Sequence, residues 1–340
     1  MKRAIAFNIA LLVVAAGLSI AIGAVNIPAG DLIRLLASKL GGTPLPADVP
    51  RYYDTILFQL RLPHMALMLL AGAALGSSGA AYQGLFRNPL ADPYLLGVAS
   101  GAGLGAVAVL AWQGAQPSQG GMFLLPAAAF AGALLTVVLV YLLARVDGQT
   151  PATTLILAGV ALGSLTAALT SFLMLASEGT LQRAVVYLLG GAPLSGWAPV
   201  LAMLPYWLIG QGVLLTSGHA LNVLQFGEAQ AQQMGLHAQR AKILILAAAS
   251  LTTAAAVAFA GIIGFIGLVV PHIMRLTWGE DYRGLLPLSL LGGATALLLS
   301  DLLARTLLAP QTLPVGIVTA LFGAPFFLWV LQRAKTHSPA

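Results

Sequence analysis

The chain has 340 residues, 59% of them apolar and 8% charged, against about 25% charged in an ordinary soluble domain. Sixteen Lys and Arg with ten Asp and Glu, a net charge of +6, cannot clothe a soluble surface, which excludes a soluble enzyme, a nucleic-acid binder and a disordered scaffold. The absence of cysteine excludes disulfide staples, thiolate metal sites and a Cys nucleophile.

About 200 apolar residues at about 20 per crossing allow up to ten membrane-spanning helices. The apolar runs are continuous rather than alternating, so the expected class is an all-α membrane bundle and not a barrel. The first charge-free stretch is Ala4 to Val25. It follows Met1-Lys2-Arg3, as a secretory signal peptide would, but no small-x-small cleavage site follows it, and it reads as a span. Met65 to Phe86 comes next. Pro93 to Ala144 is too long for one crossing and is divided by the polar interval Gln113 to Gly121. Gly148 to Ser177 follows, then Ala184 to Gly227, in which a Gly/Pro-broken piece precedes one span. Ile243 to Met274, Gly284 to Ser300 and Thr306 to Gln332 complete the set.

Ile243 to Met274 can be read as one long helix or two short ones, and the positive-inside rule chooses. With Lys2 and Arg3 inside and two crossings, ten of the sixteen cations lie inside; one crossing leaves seven. The predicted spans are therefore 5–25, 63–85, 94–112, 122–143, 154–176, 198–215, 242–260, 262–275, 285–304 and 314–332, with both termini cytoplasmic. The seventh and eighth are expected to turn at the outer face near Ala260-Gly261. The eighth is short and carries Gly261, Gly264 and Gly267, as suits a broken helix lining a cavity rather than lipid. Gly72, Gly76 and Gly79 recur on one helical face, as do Gly97, Gly101 and Gly105, and predict close helix contact.

Chemistry-bearing motifs are missing. There is no phosphate loop, no His-Glu-x-x-His and no nucleophile elbow. The histidines His64, His219, His237, His272 and His337 are scattered. No cofactor, no metal site and no enzymatic activity are expected, and ATP hydrolysis belongs elsewhere. Asp301 and Arg305 share a helical face four residues apart. No chain of intramembrane carboxylates marks a proton relay, which argues against the rival class, an ion-coupled secondary transporter. Inside, Phe86 to Pro93 is a rigid turn with two prolines. The interval Gly218 to Lys242 reads as two short helices, broken at Gly227 and ended at Gly235, with Leu221, Leu224, Ala231 and Met234 as an apolar face that docks on something.

Arg61-Leu-Pro-His64, Gly72-Ala-Ala-Leu-Gly76 and Tyr82-Gln-Gly-Leu-Phe-Arg-Asn-Pro-Leu-Ala-Asp-Pro-Tyr-Leu-Leu-Gly97 resemble the FecCD family. So do Leu157 to Gly163, Gly261 to Arg275 and Leu313 to Phe327, in order along nearly the whole chain. The resemblance implies a single permease domain over 1–340 with the ten-span fold of type II ABC importers, and a pathway formed by a second copy of the chain. It also implies two cytoplasmic ATPase subunits and a periplasmic or lipid-anchored substrate-binding protein, in a machine working by alternating access. The loop at about 217–238 then becomes the ATPase-coupling element, with Leu221, Leu224, Gly227, Glu228, Met234 and Gly235. Arg61, His64 and Arg305 become the binding-protein docking residues. His64 stands where the family often has Arg, which would make docking more pH-dependent. Pro151, Thr153 and Thr154 align with the inner-gate region. The implied cargo is an iron chelate (siderophore or haem) or, alternatively, cobalamin; no residue separates them.

Overall fold

The computed structural model describes residues 1–336, apart from 24, 26, 43, 45–47, 115–120, 147–148, 178 and 193. The described residues form helices and no named strand. In chain order these are α1 (Lys2–Ala21), α2 (Ala29–Gly41), α3 (Arg51–Thr55), α4 (Leu62–Phe86), α5 (Val98–Gln113), α6 (Leu124–Leu143), α7 (Ala152–Ala176), α8 (Leu181–Leu188), α9 (Trp197–Thr216), α10 (Gly218–Leu224), α11 (Glu228–Gln233), α12 (Ala238–Ala260), α13 (Ile266–Trp278), α14 (Tyr282–Thr306) and α15 (Val315–Thr336). Seven helical stretches are long and apolar enough to cross a membrane, and α5, α13 and α15 are shorter apolar helices. These ten fall on the ten predicted spans.

α4 runs through the middle, packed by α14, α12, α13 and α9. Its glycine face lets backbones touch. A Cβ at Gly72 would lie 2.3 Å from the Gly293 carbonyl oxygen, one at Gly76 2.2 Å from that of Ser289, and one at Gly79 1.9 Å from that of Gly267. Small residues are what allow such approach in lipid, where no hydrophobic effect drives helices together. Buried hydroxyls join the same helices: Ser78 to Thr252 at 2.7 Å and Tyr82 to Ser250 at 2.6 Å.

The second span does not begin at Pro63. α3, a π-helical stretch Ile56–Arg61 and α4 form one continuous helix, Arg51 to Phe86. The wide turn has a local cause. Pro63 has no N–H to give, and Leu62 N–H bonds back to the Leu57 carbonyl, so the Phe58 carbonyl is left over. The Trp197 indole N–H fills it at 2.9 Å. α2, amphipathic and unforeseen, builds a separate small core with Ile27, Leu35, Val49 and Leu57 at this end of the bundle.

α12 and α13 are antiparallel and separate, as the charge count predicts. Their connection is not at the rim, however. Gly261 (φ 83°) and Phe265 (φ 69°) bracket an unwound stretch of buried and half-buried residues. Gly267, just beyond it, meets Gly79 in the second half of α4. α13 has 13 residues, about 20 Å of helix where a bilayer core needs about 30 Å. The extended stretch enters the bundle to make up the depth, which is tolerated because it lies inside protein rather than lipid.

Candidate functional site

Two clusters of polar groups lie at opposite ends of the bundle, with a backbone clasp between them. The first is at the α2 end. Asp301 on α14 has a carboxylate only 5% exposed, reached by His64 Nε2 at 2.8 Å and by Arg305 Nε at 2.9 Å. Arg305 Nη2 also donates to Ser19 Oγ at 2.9 Å. Arg61 donates to the Ile20 carbonyl at 2.9 Å and to that of Val25, at the end of α1 where unpaired carbonyls attract a cation. Gly23 makes room, since a Cβ there would lie 2.7 Å from the Arg61 guanidinium. Arg61 is therefore buried at 8% exposure instead of standing free at the rim. His64 is the most accessible of the three, with a third of its side chain exposed. The cluster opens on a cavity of about 650 Å³, also lined by Gly190, Ser195 and Pro314.

The second cluster is at the α10 end. Gly227 (φ 101°) separates α10 from α11, and Gly235 (φ 84°) ends the pair, at positions that only glycine adopts without strain. Leu221, Leu224 and Ala231 are buried as predicted. Met234 does not join them. α11 stops at Gln233, so the helical period does not reach Met234, which is 61% exposed; Leu236 packs inward instead. α10 is fastened to its neighbours. Asn222 donates to Asp281 at 2.6 Å and accepts the Tyr282 N–H at 2.9 Å, and Gln225 donates to the Gly84 carbonyl at 2.9 Å. Hydrogen bonds from Arg283, then from Asn222, hold the Asp281 carboxyl down at about 2.

α11 is held by one ion pair. Glu228 Oε1 lies 2.6 Å from Nζ of Lys242, whose side chain is 7% exposed. The same Nζ donates to the Thr150 carbonyl at 2.8 Å, and Gln239 donates to Thr150 Oγ1 at 3.2 Å. Thr150 closes the turn that leads into α7. Next to it, Pro151 starts α7, Thr154 Oγ1 donates to the Pro151 and Ala144 carbonyls, and Thr153 is exposed. Sequence reasoning singled out Glu228 and the Pro151–Thr154 segment separately. It missed Lys242 and Thr150, which join them. A lysine directly preceding the charge-free run that starts at Ile243 was the available signal.

Between the two ends, Tyr94 clasps the unwound stretch. Its phenol donates to the Ile263 carbonyl at 2.8 Å and accepts the Ile263 N–H at 3.1 Å. One side chain thus satisfies both backbone groups of a residue that no helix can serve. Tyr94 sits in a short 3₁₀ turn, Pro93–Leu96, capped by the Asp92 carboxylate, which accepts the Tyr94 N–H at 2.8 Å. Burial pushes the Asp92 carboxyl up to about 6, and the hydrogen bond from Tyr94 opposes the shift. Asp92, Tyr94, Ser100, Gly159, Gly163 and Ser164 line an open groove of about 450 Å³ along α7.

The described residues hold no group of three metal-ligating side chains. What the arrangement offers is shape, packed backbone and links between distant elements. The model of the FecCD transport family matches residues 11–333. The chain belongs to that family. Among FecCD relatives it is 44% identical over 317 residues to the uncharacterised ABC transporter permease protein YvrB of Bacillus subtilis, covering 93% of this chain and 89% of that one. It is 45% identical over 300 residues to the cobalamin import system permease protein BtuC of Halobacterium salinarum (87% and 78% covered). It is 39% identical over 285 residues to the hemin transport system permease protein HmuU of Yersinia pestis (82% and 84% covered). A solved structure of a metal-chelate type ABC transporter in an inward-facing conformation superposes with a TM-score of 0.83 at 30% identity, covering 98% of this chain and all of that one. This FecCD protein is thus a multi-pass membrane permease of the ABC importer type, and members of the family are not themselves enzymes.

Proposed function

We propose that the chain is the translocation subunit of a binding-protein-dependent importer for a metal chelate. The whole chain would act as one unit, paired with a second copy, two ATPase subunits at the α10 end and a substrate-binding protein at the α2 end. The observation that carries this reading is the chain of contacts Glu228–Lys242–Thr150. It ties the short α10–α11 element, the expected seat of the ATPase, to the turn that starts α7. Movement of α11 in an ATPase cleft would pull on Lys242 and on the Pro151–Thr154 segment together. The groove of small and hydroxyl residues along α7 supplies a lining for a bulky polar cargo between two copies. At the other end, His64 and Arg305 would meet acidic groups of the binding protein first, and Arg61 only if the end of α1 gives way. Such rim charges chiefly steer association and fix register.

The proposed cargo is an iron chelate (siderophore or haem), with cobalamin as the alternative: relatives named for cobalamin, at 45% and 42% identity, support the alternative, and a relative named for hemin, at 39%, supports the first. The test is uptake into proteoliposomes holding this chain, its cognate ATPase and its binding protein. Radiolabelled cyanocobalamin, haem and a ferric siderophore are offered in turn. ATP-dependent uptake of one chelate establishes importer and cargo; ATP-independent, ion-gradient-driven uptake would overturn the reading. Orientation is tested on the cysteine-free chain. Thr277→Cys should react with an impermeant maleimide only in inverted vesicles, and Gln311→Cys only from outside. Both positions are exposed.

A further inference from the structure

α12 packs against both α6 and α9. α6 and α9 meet part-way along their length, where the Phe130 and Tyr206 rings stand 4.8 Å apart. From there toward the α10 end they leave between them a groove of about 460 Å³ floored by α12. The lining is apolar along its length: Val138 and Tyr141 from α6, Ile209 and Val213 from α9, Ala247 and Leu251 from α12. From Leu134 to Tyr141 it runs about 10 Å along the helix axis, with its Leu134 end toward the bilayer centre.

We propose that this groove is a binding site for one acyl chain of an anionic phospholipid, drawn from the leaflet at the α10 end. Three features fit that occupant. The lining begins at Leu134 and Ile209, within about a turn of the Phe130–Tyr206 ring pair, and runs toward the α10 end, the direction of a lipid tail entering from a headgroup layer. Two cations stand beyond its shallow end: Arg145, two residues past the end of α6, and Arg240, in the first turn of α12 and in register with Leu251, Ala247 and Leu244. Arg145 and Arg240 are exposed. They flank one mouth, because Lys242 and Gln239 hold Thr150, so the turn after α6 lies against the first turn of α12. Paired arginines at headgroup depth select a phosphate with net negative charge, and Tyr141 has its hydroxyl at the level where aromatic belts form. The proposal rests on the membrane-spanning fold and is independent of the cargo.

The test is photolabelling of the full-length protein in nanodiscs with phosphatidylglycerol bearing a mid-chain diazirine, with phosphatidylcholine of the same chain as control. Adducts should concentrate on 134–141, 209–213 and 243–251, above the level on the exposed apolar face of α1. Arg145→Gln with Arg240→Gln should weaken phosphatidylglycerol retention by roughly 30-fold and leave phosphatidylcholine retention unchanged. Ala247→Trp, at an exposed position, should displace both lipids by filling the groove. Equal wild-type retention of the two lipids, or adducts no denser than on α1, would overturn the proposal. So would an Ala247→Trp variant that changes oligomeric state and keeps its lipid, since the groove would then seat a second copy.

Discussion

The two ends of the bundle use the same residue types for opposite purposes. At the α2 end, Asp301 holds His64 and Arg305, and Arg305 and Arg61 reach the end of α1, all from long helices. At the α10 end, Lys242 is buried but its partner Glu228 is 39% exposed and sits on a six-residue helix. A charge network whose members all lie on packed spans holds a shape. One that reaches out to a short, glycine-bounded element would, in the proposed coupling role, pass motion inward. Chemistry alone does not separate the two roles; the length and burial of the carrying elements do.

Asp301→Asn should strike hardest. It leaves Arg305 partly buried without its counter-charge, a change that costs about 3–5 kcal/mol where the pair is fully buried, and weakens the hydrogen bond to His64. Thermal melting in detergent should fall by several degrees, with expression reduced. Tyr94→Phe should come next, at about 1–3 kcal/mol, because the Ile263 N–H and carbonyl lose their shared partner; Ser or Asn at position 94 should not restore it. Lys242→Met should lower melting less, since Glu228 can turn to solvent, yet should cut uptake at least about tenfold while ATPase turnover continues. The exchange Glu228→Lys with Lys242→Glu should recover part of that uptake. If Lys242→Met left uptake normal, or if Asp301→Asn uncoupled without destabilising, the contrast between the ends would be broken.

Asp92→Asn is the smallest and the most pH-sensitive change. Burial raises the Asp92 carboxyl from its ordinary value to about 6. The folded protein therefore keeps a proton that the unfolded chain releases. Relative stability is greatest below about pH 4, falls as pH rises through 6, and is level above. The neutral Asn should raise the melting temperature slightly at pH 8 and not at pH 4. Equal effects at both would show that the groove hydrates this carboxyl fully.

The ten spans were legible because charge-free runs make up nearly all of each, and the α12–α13 division because cations count sides. Depth was not legible: the positive-inside rule says how often the chain crosses, not where inside the bundle it turns. Asp301 with Arg305 could be read at a spacing of four, but His64 joins them from 237 residues away, a distance no periodicity spans. Gly227 and Gly235 announced themselves by residue type, whereas Met234 was misplaced by extending a helical period past the helix. α2 escaped notice because Asp31, Arg34 and Lys39 interrupt its apolar face, and the π turn because a proline after an arginine reads more simply as a start.

The glycine contacts of α4 set a limit on travel. With the Gly72, Gly76 and Gly79 backbones resting on those of Gly293, Ser289 and Gly267, no flexible side chains lie between the helices to shear past one another. A slide of one residue would drive a carbonyl into a neighbouring Cα. Under the proposed importer reading, α4 and α14 would be the stator. The moving part would then be sought on α7, whose Leu157, Val160, Leu165, Phe172 and Leu175 are not covered by the rest of this chain and which begins at the turn that Lys242 holds.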